Sequence, residues 1–315
     1  MRLAGVDIGT LTCRLLIATA TPDGGLTELH AERKIVRLGE GLEQDGRVRP
    51  AAIARVIDVL RGWRGVLDSY RIDAEVAVAT SAVREAENRE AFLAAVKRET
   101  GFEVEVISGE EEARRTMLGL RFGLPAGVSA VLGLDIGGGS TEFILDRPEG
   151  PPVVRSVKLG VVRLTEGILT HNPPTPEQIR TARILVTQTL QETRSSLGSI
   201  SGTALVGTAG TITTLAAMAL QLPTYEPARI HNYRLGLPTV VELEARMLAC
   251  TKEQRRGWLG LEAGREDVIV AGTIILRGVM EGLGFSECLV SDYGLREGIL
   301  LDLAARLRDG MVRLS

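Results

Sequence analysis

The stretch GLDIGGGSTEFIL, Gly133 to Leu145, places three glycines, a serine and a threonine between an acidic strand end and another apolar run. A core strand needs none of these. Consecutive glycines let the backbone turn tightly and aim successive N–H groups into one concavity, and such nests bind phosphate oxygens. In this reading Gly137, Gly138 and Gly139 form the nest, and Ser140 and Thr141 add hydroxyl donors. Asp135 offers a hard oxygen that can hold a divalent cation through water, and Glu142 follows where it can orient a water. The plain alternative is a glycine-rich hairpin. A shorter version, GVDIGTLTCRLLI from Gly5 to Ile17, opens the same chain and favours the phosphate reading. There Asp7, Gly9, Thr10 and Thr12 play the same parts with fewer glycines.

Both turns start a longer pattern of strand, Asp-Ile-Gly turn, strand, turn and strand. Residues 2 to 37 read as a three-stranded meander with a hairpin signal at PDGG, Pro22 to Gly25. After a Gly- and Pro-bearing link, GLPAGVSA (Gly123 to Ala130), the order returns as VLGLDI, GGGST, EFILD, RPEGPP and VVRSVKL. Between the copies, Pro50 to Tyr70 carries apolar residues at helical spacing behind an N-terminal proline. Later, Pro176 to Leu197 reads as a long helix, and the chain closes on strand ECLVSD and a final helix. These elements predict an α/β protein of two related domains, residues 1–125 and 126–315, with a cleft between them.

Bulk properties narrow the chemistry. A length of 315 residues suits two domains. A formal net charge of -3 gives no reason to expect a nucleic acid polymer or an anionic membrane as partner. Cys13, Cys250 and Cys288 are too scattered for a disulfide framework or thiolate site, which predicts a reducing cytoplasm. The opening MRLAGVDIG meets a polar turn too early for a signal-peptide core, and no apolar run nears the roughly 20 residues that span a bilayer. The motifs of other phosphate and acyl enzymes are missing. Lys34, Lys97, Lys158 and Lys252 sit in no G-x-x-x-x-G-K loop, and no G-x-S-x-G elbow occurs. His30, His171 and His231 are too dispersed for a zinc site.

Three further stretches carry candidate chemistry. GTAGTITTL (Gly207 to Leu215) sets Gly210 and Thr211 where a strand gives way to a helix, whose N-terminus favours anions; a simple helix cap fits equally. ATSAVREAEN (Ala79 to Asn88) puts Thr80 and Arg84 just past a strand, where the guanidinium suits either a phosphate or a salt bridge. ISGEEEARR holds Glu110, Glu111 and Glu112, which stabilise a helix's first turn or supply a general base.

Together, the two Asp-Ile-Gly turns and GTAGT resemble the actin, sugar kinase and chaperone ATPase superfamily. Within it, ATSAVREAEN, VISGEEEA, DIGGGSTEF, GTAGTITTLAA and SDYGLREGIL resemble the exopolyphosphatase/guanosine pentaphosphatase (Ppx/GppA) family, in the family's order from Asp7 to Gly298. The resemblance implies two actin-like, ribonuclease H-like domains. It also implies release of terminal phosphate from polyphosphate or guanosine pentaphosphate with Mg²⁺ or another divalent cation. It makes Glu112 the general base, Glu142 a second carboxylate near the attacking water, and Arg84 and Gly137 to Thr141 holders of phosphate. The chain looks like the short two-domain form, and a homodimer is expected from the resemblance alone. One departure stands out: many members have Ser-Asn-Ser or Thr-Asn-Ser in the first turn, where this chain has Thr10-Leu11-Thr12. Two rivals follow, an ATP-dependent kinase of the same superfold and a non-catalytic sensor of guanosine tetra- or pentaphosphate.

Overall fold

The computed structural model describes residues 1–21 and 24–310. Its first unit begins with the meander β1 (Arg2–Ile8), β2 (Thr12–Ala20) and β3 (Leu26–Ile35). Pro22 and Asp23 of the expected PDGG turn lie outside the described residues; beside them the Thr21 N–H donates to the Gly25 carbonyl at 2.9 Å. Then come α1 (Leu42–Asp45), α2 (Pro50–Tyr70), β4 (Ala74–Ala79), α3 (Ser81–Glu85), α4 (Arg89–Thr100), β5 (Val104–Val106) and α5 (Gly109–Gly123). The sheet order is β3-β2-β1-β4-β5, with the meander antiparallel and β1, β4 and β5 parallel.

The second unit repeats that plan. It holds β6 (Val131–Ile136), β7 (Thr141–Asp146), β8 (Val153–Val157), α6 (Val161–Gly167), α7 (Pro176–Leu197), β9 (Ala204–Thr208) and α8 (Ala209–Ala219). It continues through α9 (Pro227–Ile230), β10 (Arg234–Gly236), α10 (Leu237–Leu248), α11 (Lys252–Arg255), α12 (Ile269–Leu283) and β11 (Glu287–Val290). Its order, β10-β11-β9-β6-β7-β8, is the first sheet read from the other end with one added edge strand. The duplication expected from the two turns therefore extends to strand order and direction. This is an α/β chain of two related actin-like domains.

Local signals explain where the helices start. Pro50 and Pro176 sit at the first helical position, where a missing N–H costs nothing. Thr175 and Gln178 complete a capping box at the start of α7. In α2 the buried residues Ala52, Val56, Leu60, Trp63 and Leu67 recur every three or four positions and form one apolar stripe.

The chain divides between Phe122 and Gly123, and its last described helix returns to the first unit instead of staying with the second. The first unit comprises Met1–Phe122 and the residues from Tyr293 onward, and the second is Gly123–Asp292. The reason lies in β1, whose alternate residues face opposite sides of the sheet. Ala4, Val6 and Ile8 pack with the α2 residues Val56, Leu60 and Trp63. Leu3, joined by Leu16 and Ala18, is covered by Leu300, Leu303 and Ala304 of the final helix, α13 (Leu295–Arg308). Each of the leucine, valine and isoleucine side chains among them contributes about 1.5–3 kcal/mol when fully buried. Without α13 that face of the first sheet would lie bare.

Candidate active site

In the first unit, parallel pairing gathers the predicted residues at one sheet end. Asp7 pairs with Val78 and Ile8 with Ala79, and the Thr80 N–H donates to the Ile8 carbonyl at 3.3 Å. Thr80 and α3 therefore start beside the Gly9–Thr12 turn. One turn along α3, Arg84 directs Nη1 to the Ile107 carbonyl at 2.9 Å and to Glu112 Oε2 at 3.0 Å. Of the two readings for Arg84, the structure shows the salt bridge. The side chain is partly buried and paired with the predicted base, while its remaining N–H groups donate to no described residue.

The structure separates the three glutamates of α5. Glu110 is exposed, Glu112 is 7% exposed and faces Arg84, and Glu111 is gripped from the other side. Arg114 donates to both Glu111 oxygens at 2.7 Å, and Arg115 Nε adds a bond of 2.6 Å. Those bonds, Arg114's foremost, hold the Glu111 carboxyl down to about 2 from 4.5, against the upward push of burial. A folded-state value below the unfolded one means that the stabilisation is complete above the unfolded value. It is lost as pH falls through the folded one. The Tm difference between wild type and Glu111→Gln should therefore be present at neutral pH, shrink below about 4.5, and vanish near 2. A difference that stays constant over that range would show that the grip contributes nothing.

In the second unit, parallel pairing of β6 with β9 sets Asp135 beside Thr208, at the mouth of α8. Antiparallel pairing sets Asp135 opposite Glu142, and Glu142 opposite Ser156, whose hydroxyl donates to Glu142 Oε1 at 2.7 Å. Two carboxylates directly opposed across a strand pair are unfavourable for stability alone. Thr141 departs from expectation. Its hydroxyl donates to the Leu159 carbonyl and fastens the strand, which leaves Ser140 as the turn's side-chain donor.

The two turns have the same construction. Gly9 N–H donates to Thr12 O, and Gly137 N–H to Ser140 O, each at 3.0 Å. In the first, the Thr10 carbonyl accepts from Gly39, and the Leu11 carbonyl from Val36 and Arg37. In the second, the Gly137 and Gly138 carbonyls accept from Val161 and Val162. With the carbonyls engaged behind, the N–H groups of Gly138, Gly139 and Ser140, and of Thr10 and Leu11, donate to no described group. The buttress needs glycine. A Cβ on Gly160 would lie 2.3 Å from the Gly138 oxygen, and one on Gly39 would lie 2.3 Å from Thr10 Cγ2. Leu11, the departure in the first turn, is buried.

Sequence reasoning missed several of these parts. Gly39 and Gly160 end VRLG (Val36 to Gly39) and VKLG (Val157 to Gly160), a second internal repeat that would have found them. Arg14 pairs in register with Asp7, the place Glu142 holds opposite Asp135, and Arg33 pairs with Arg14. The Arg14 guanidinium has no hydrogen bond or ion pair with any described residue. Arg265, 3% exposed and salt-bridged to Glu262, lies flat on Gly210, where a Cβ would meet its guanidinium at 2.2 Å. A side chain at position 210 would have to displace that guanidinium, and Thr211 packs against Gly272 in the same close way. The residue before Gly210, Ala209, has φ 69°, a left-handed conformation uncommon for a side-chain-bearing residue.

Among the described residues no group of three or more His, Cys, Asp or Glu side chains is arranged to hold a metal ion by itself. The donors present suit a hard cation that keeps waters and shares phosphate ligands. Asp7 and Asp135 lie near the ends of their strands at the turns, and a Cβ on Gly9 would stand 2.9 Å from the Thr12 carbonyl oxygen, with Asp7 Oδ1 4.0 Å away. No helix among the described residues is long and apolar enough to cross a membrane.

Comparison with known proteins agrees with this construction. Exopolyphosphatase 2 of Mycobacterium tuberculosis is 36% identical over 317 residues, covering 96% of this chain and 98% of the relative. A crystal structure of the Aquifex aeolicus Ppx/GppA family member superposes with a TM-score of 0.81 at 32% identity, over 98% of both chains. An exopolyphosphatase from Cytophaga hutchinsonii superposes with a TM-score of 0.89 at 29% identity, again over 98% of both. The model of the Ppx/GppA phosphatase family matches residues 16–307. Paired Asp-Ile-Gly turns on duplicated actin-like sheets, relatives of equal length and that match together place the chain in the Ppx/GppA phosphatase family.

Proposed function

We propose that the chain hydrolyses the terminal phosphoanhydride bond of inorganic polyphosphate. The observation that carries this reading is the pair of turns whose carbonyls are engaged behind and whose N–H groups stand unengaged in front. Such donors match phosphoryl oxygens and need no rearrangement when charge builds on them. The relatives named exopolyphosphatase support polyphosphate as the substrate class.

In the proposed reaction a water oxygen attacks the terminal phosphorus in line, while the bond to the bridging oxygen breaks. The shortened chain leaves with that oxygen, and orthophosphate is the second product. Glu112 orients the water and accepts its proton. Arg84 fixes Glu112 through Nη1 and offers its other N–H groups to the phosphoryl oxygens. Gly138, Gly139 and Ser140 donate to phosphate oxygens, as do Thr10 and Thr12 in the first turn. Glu142 serves as a second carboxylate for the water. Asp7 and Asp135 are the carboxylates that would hold Mg²⁺, which when bound neutralises phosphoryl charge. Positioning and electrostatics carry most of the rate, since phosphoryl transfer asks for little covalent help.

The test is phosphate release by the purified chain with Mg²⁺, comparing long polyphosphate, short polyphosphate and guanosine pentaphosphate. Release from polyphosphate is the expected result. Release from pentaphosphate alone would reassign the substrate. Binding of guanosine tetraphosphate with no release from anything would make the chain a sensor.

A further inference from the structure

A charge cluster, buried at Arg115 and Asp302 and open to solvent at its edges, joins α5 to α13 within the first unit. Asp302 of α13 accepts from Arg114 Nη2 on Oδ1, while its Oδ2 lies 3.1 Å from Arg306 Nε and 3.5 Å from Arg115 Nε. Arg114 and Arg115 in turn grip Glu111, the peptide neighbour of Glu112. Arg115 also forks onto both oxygens of Glu105 in β5, at 3.0 and 3.3 Å. The helices beneath this cluster meet backbone to backbone. A Cβ on Gly298 would stand 1.7 Å from the Arg115 carbonyl oxygen, and one on Gly119 would stand 1.9 Å from the Gly294 oxygen. No side chains cushion the contact, so any shift of one helix passes directly to the other.

We infer that Asp302 is a positioning residue for Glu112, acting through Arg114, Arg115 and Glu111. The inference rests on the reading of Glu112 as the base. The buried pair at its centre, Arg115 and Asp302, is a poor device for stability, because apolar packing of similar volume does as well or better. What it supplies is direction. Arg114 and Arg115 are adjacent on α5, and the carboxylate they share fixes how its first turn is rotated. Glu111 is held to one side by the arginines, and Glu112 is thereby turned towards Arg84. Asp302 touches neither Glu112 nor any predicted phosphate donor, so its loss should leave substrate binding intact while the water-orienting carboxylate drifts.

The experiment compares wild type, Asp302→Asn and Asp302→Glu in the full chain. Phosphate release from long polyphosphate with Mg²⁺ is measured well below each variant's unfolding temperature, and Tm separately. Asp302→Asn should lower kcat by about 10–100-fold, the scale of an ångström's misplacement, with KM within about twofold of wild type. Asp302→Glu keeps the charge and can still reach the arginines, so it should recover most of kcat. If Asp302→Asn does not fold, Arg114→Gln, a change at a half-exposed side chain, should show the same fall in kcat at steady KM. A lowered Tm with unchanged kcat would overturn the inference and leave the cluster as a fastener. So would a glutamate variant as impaired as the asparagine one. Silence of the wild type on every substrate would overturn the phosphohydrolase reading and this one together.

Discussion

Glu112→Gln should reduce phosphate release from polyphosphate by about 10²–10⁴-fold, the usual contribution of a general base. The substitution is chosen for what it preserves. A glutamine keeps the length of the side chain and an oxygen that can accept from Arg84 Nη1, so that contact stays in place. Only the capacity to take a proton from water is removed. KM should change little, because the proposed phosphate donors, the turns at Gly9–Thr12 and Gly137–Ser140 and the free side of Arg84, are left in place. Glu110→Gln, two residues earlier and exposed, is the matched control and should keep turnover within about twofold of wild type. Normal turnover in Glu112→Gln would remove it from the reaction and return attention to Glu142, the fully buried carboxylate opposite Asp135.

Gly298→Ala should cost about 3 kcal/mol or more, since overpacking usually costs 1–3 kcal/mol and here the obstacle is backbone. The added methyl would lie 1.7 Å from the Arg115 carbonyl oxygen and 2.5 Å from its carbon, and neither atom can rotate away as a side chain would. Relief requires moving α13 off α5, which also uncovers Leu3 and Leu16 on the sheet below. A drop in Tm on the order of 10 °C follows. Calorimetry of the single variant checks it, and a Tm within two or three degrees of wild type would show that the two helices separate without resistance.

The parts legible in the sequence are those whose cause is local. The Asp-Ile-Gly turns announce themselves because glycines, hydroxyls and a carboxylate are adjacent in the chain. The bounds of α2 and α7 follow from a proline at the first helical position and apolar residues at helical spacing. Glu112 was picked out by resemblance, and spacing could not separate it from Glu110 and Glu111; contact with Arg84 on one side and the arginine pair on the other does. Arg14 was overlooked because its place opposite Asp7 depends on strand register. Arg265 was overlooked because it reaches Gly210 from a stretch more than fifty residues away. Thr141 misled for a related reason: a hydroxyl beside a phosphate turn looks like a ligand donor until the Leu159 carbonyl is seen to occupy it. The final helix belongs to the first unit although it follows the second in sequence, so order along the chain does not tell where it packs. The apolar face of β1 that it covers gives no sign of what covers it.

That last helix has a consequence for how the protein is made. The sheet of the first unit is synthesised early, yet the residues that close one of its faces, Leu300, Leu303 and Ala304, emerge only after the whole second unit. At about 5–20 residues per second the ribosome needs on the order of ten seconds or more to bridge that interval. Throughout it the nascent chain carries an open apolar surface of Leu3, Leu16 and Ala18. The second unit is continuous in the chain and can fold as soon as it clears the exit tunnel. Birth order and folding order are therefore reversed: the first unit, synthesised before the second, is completed after it.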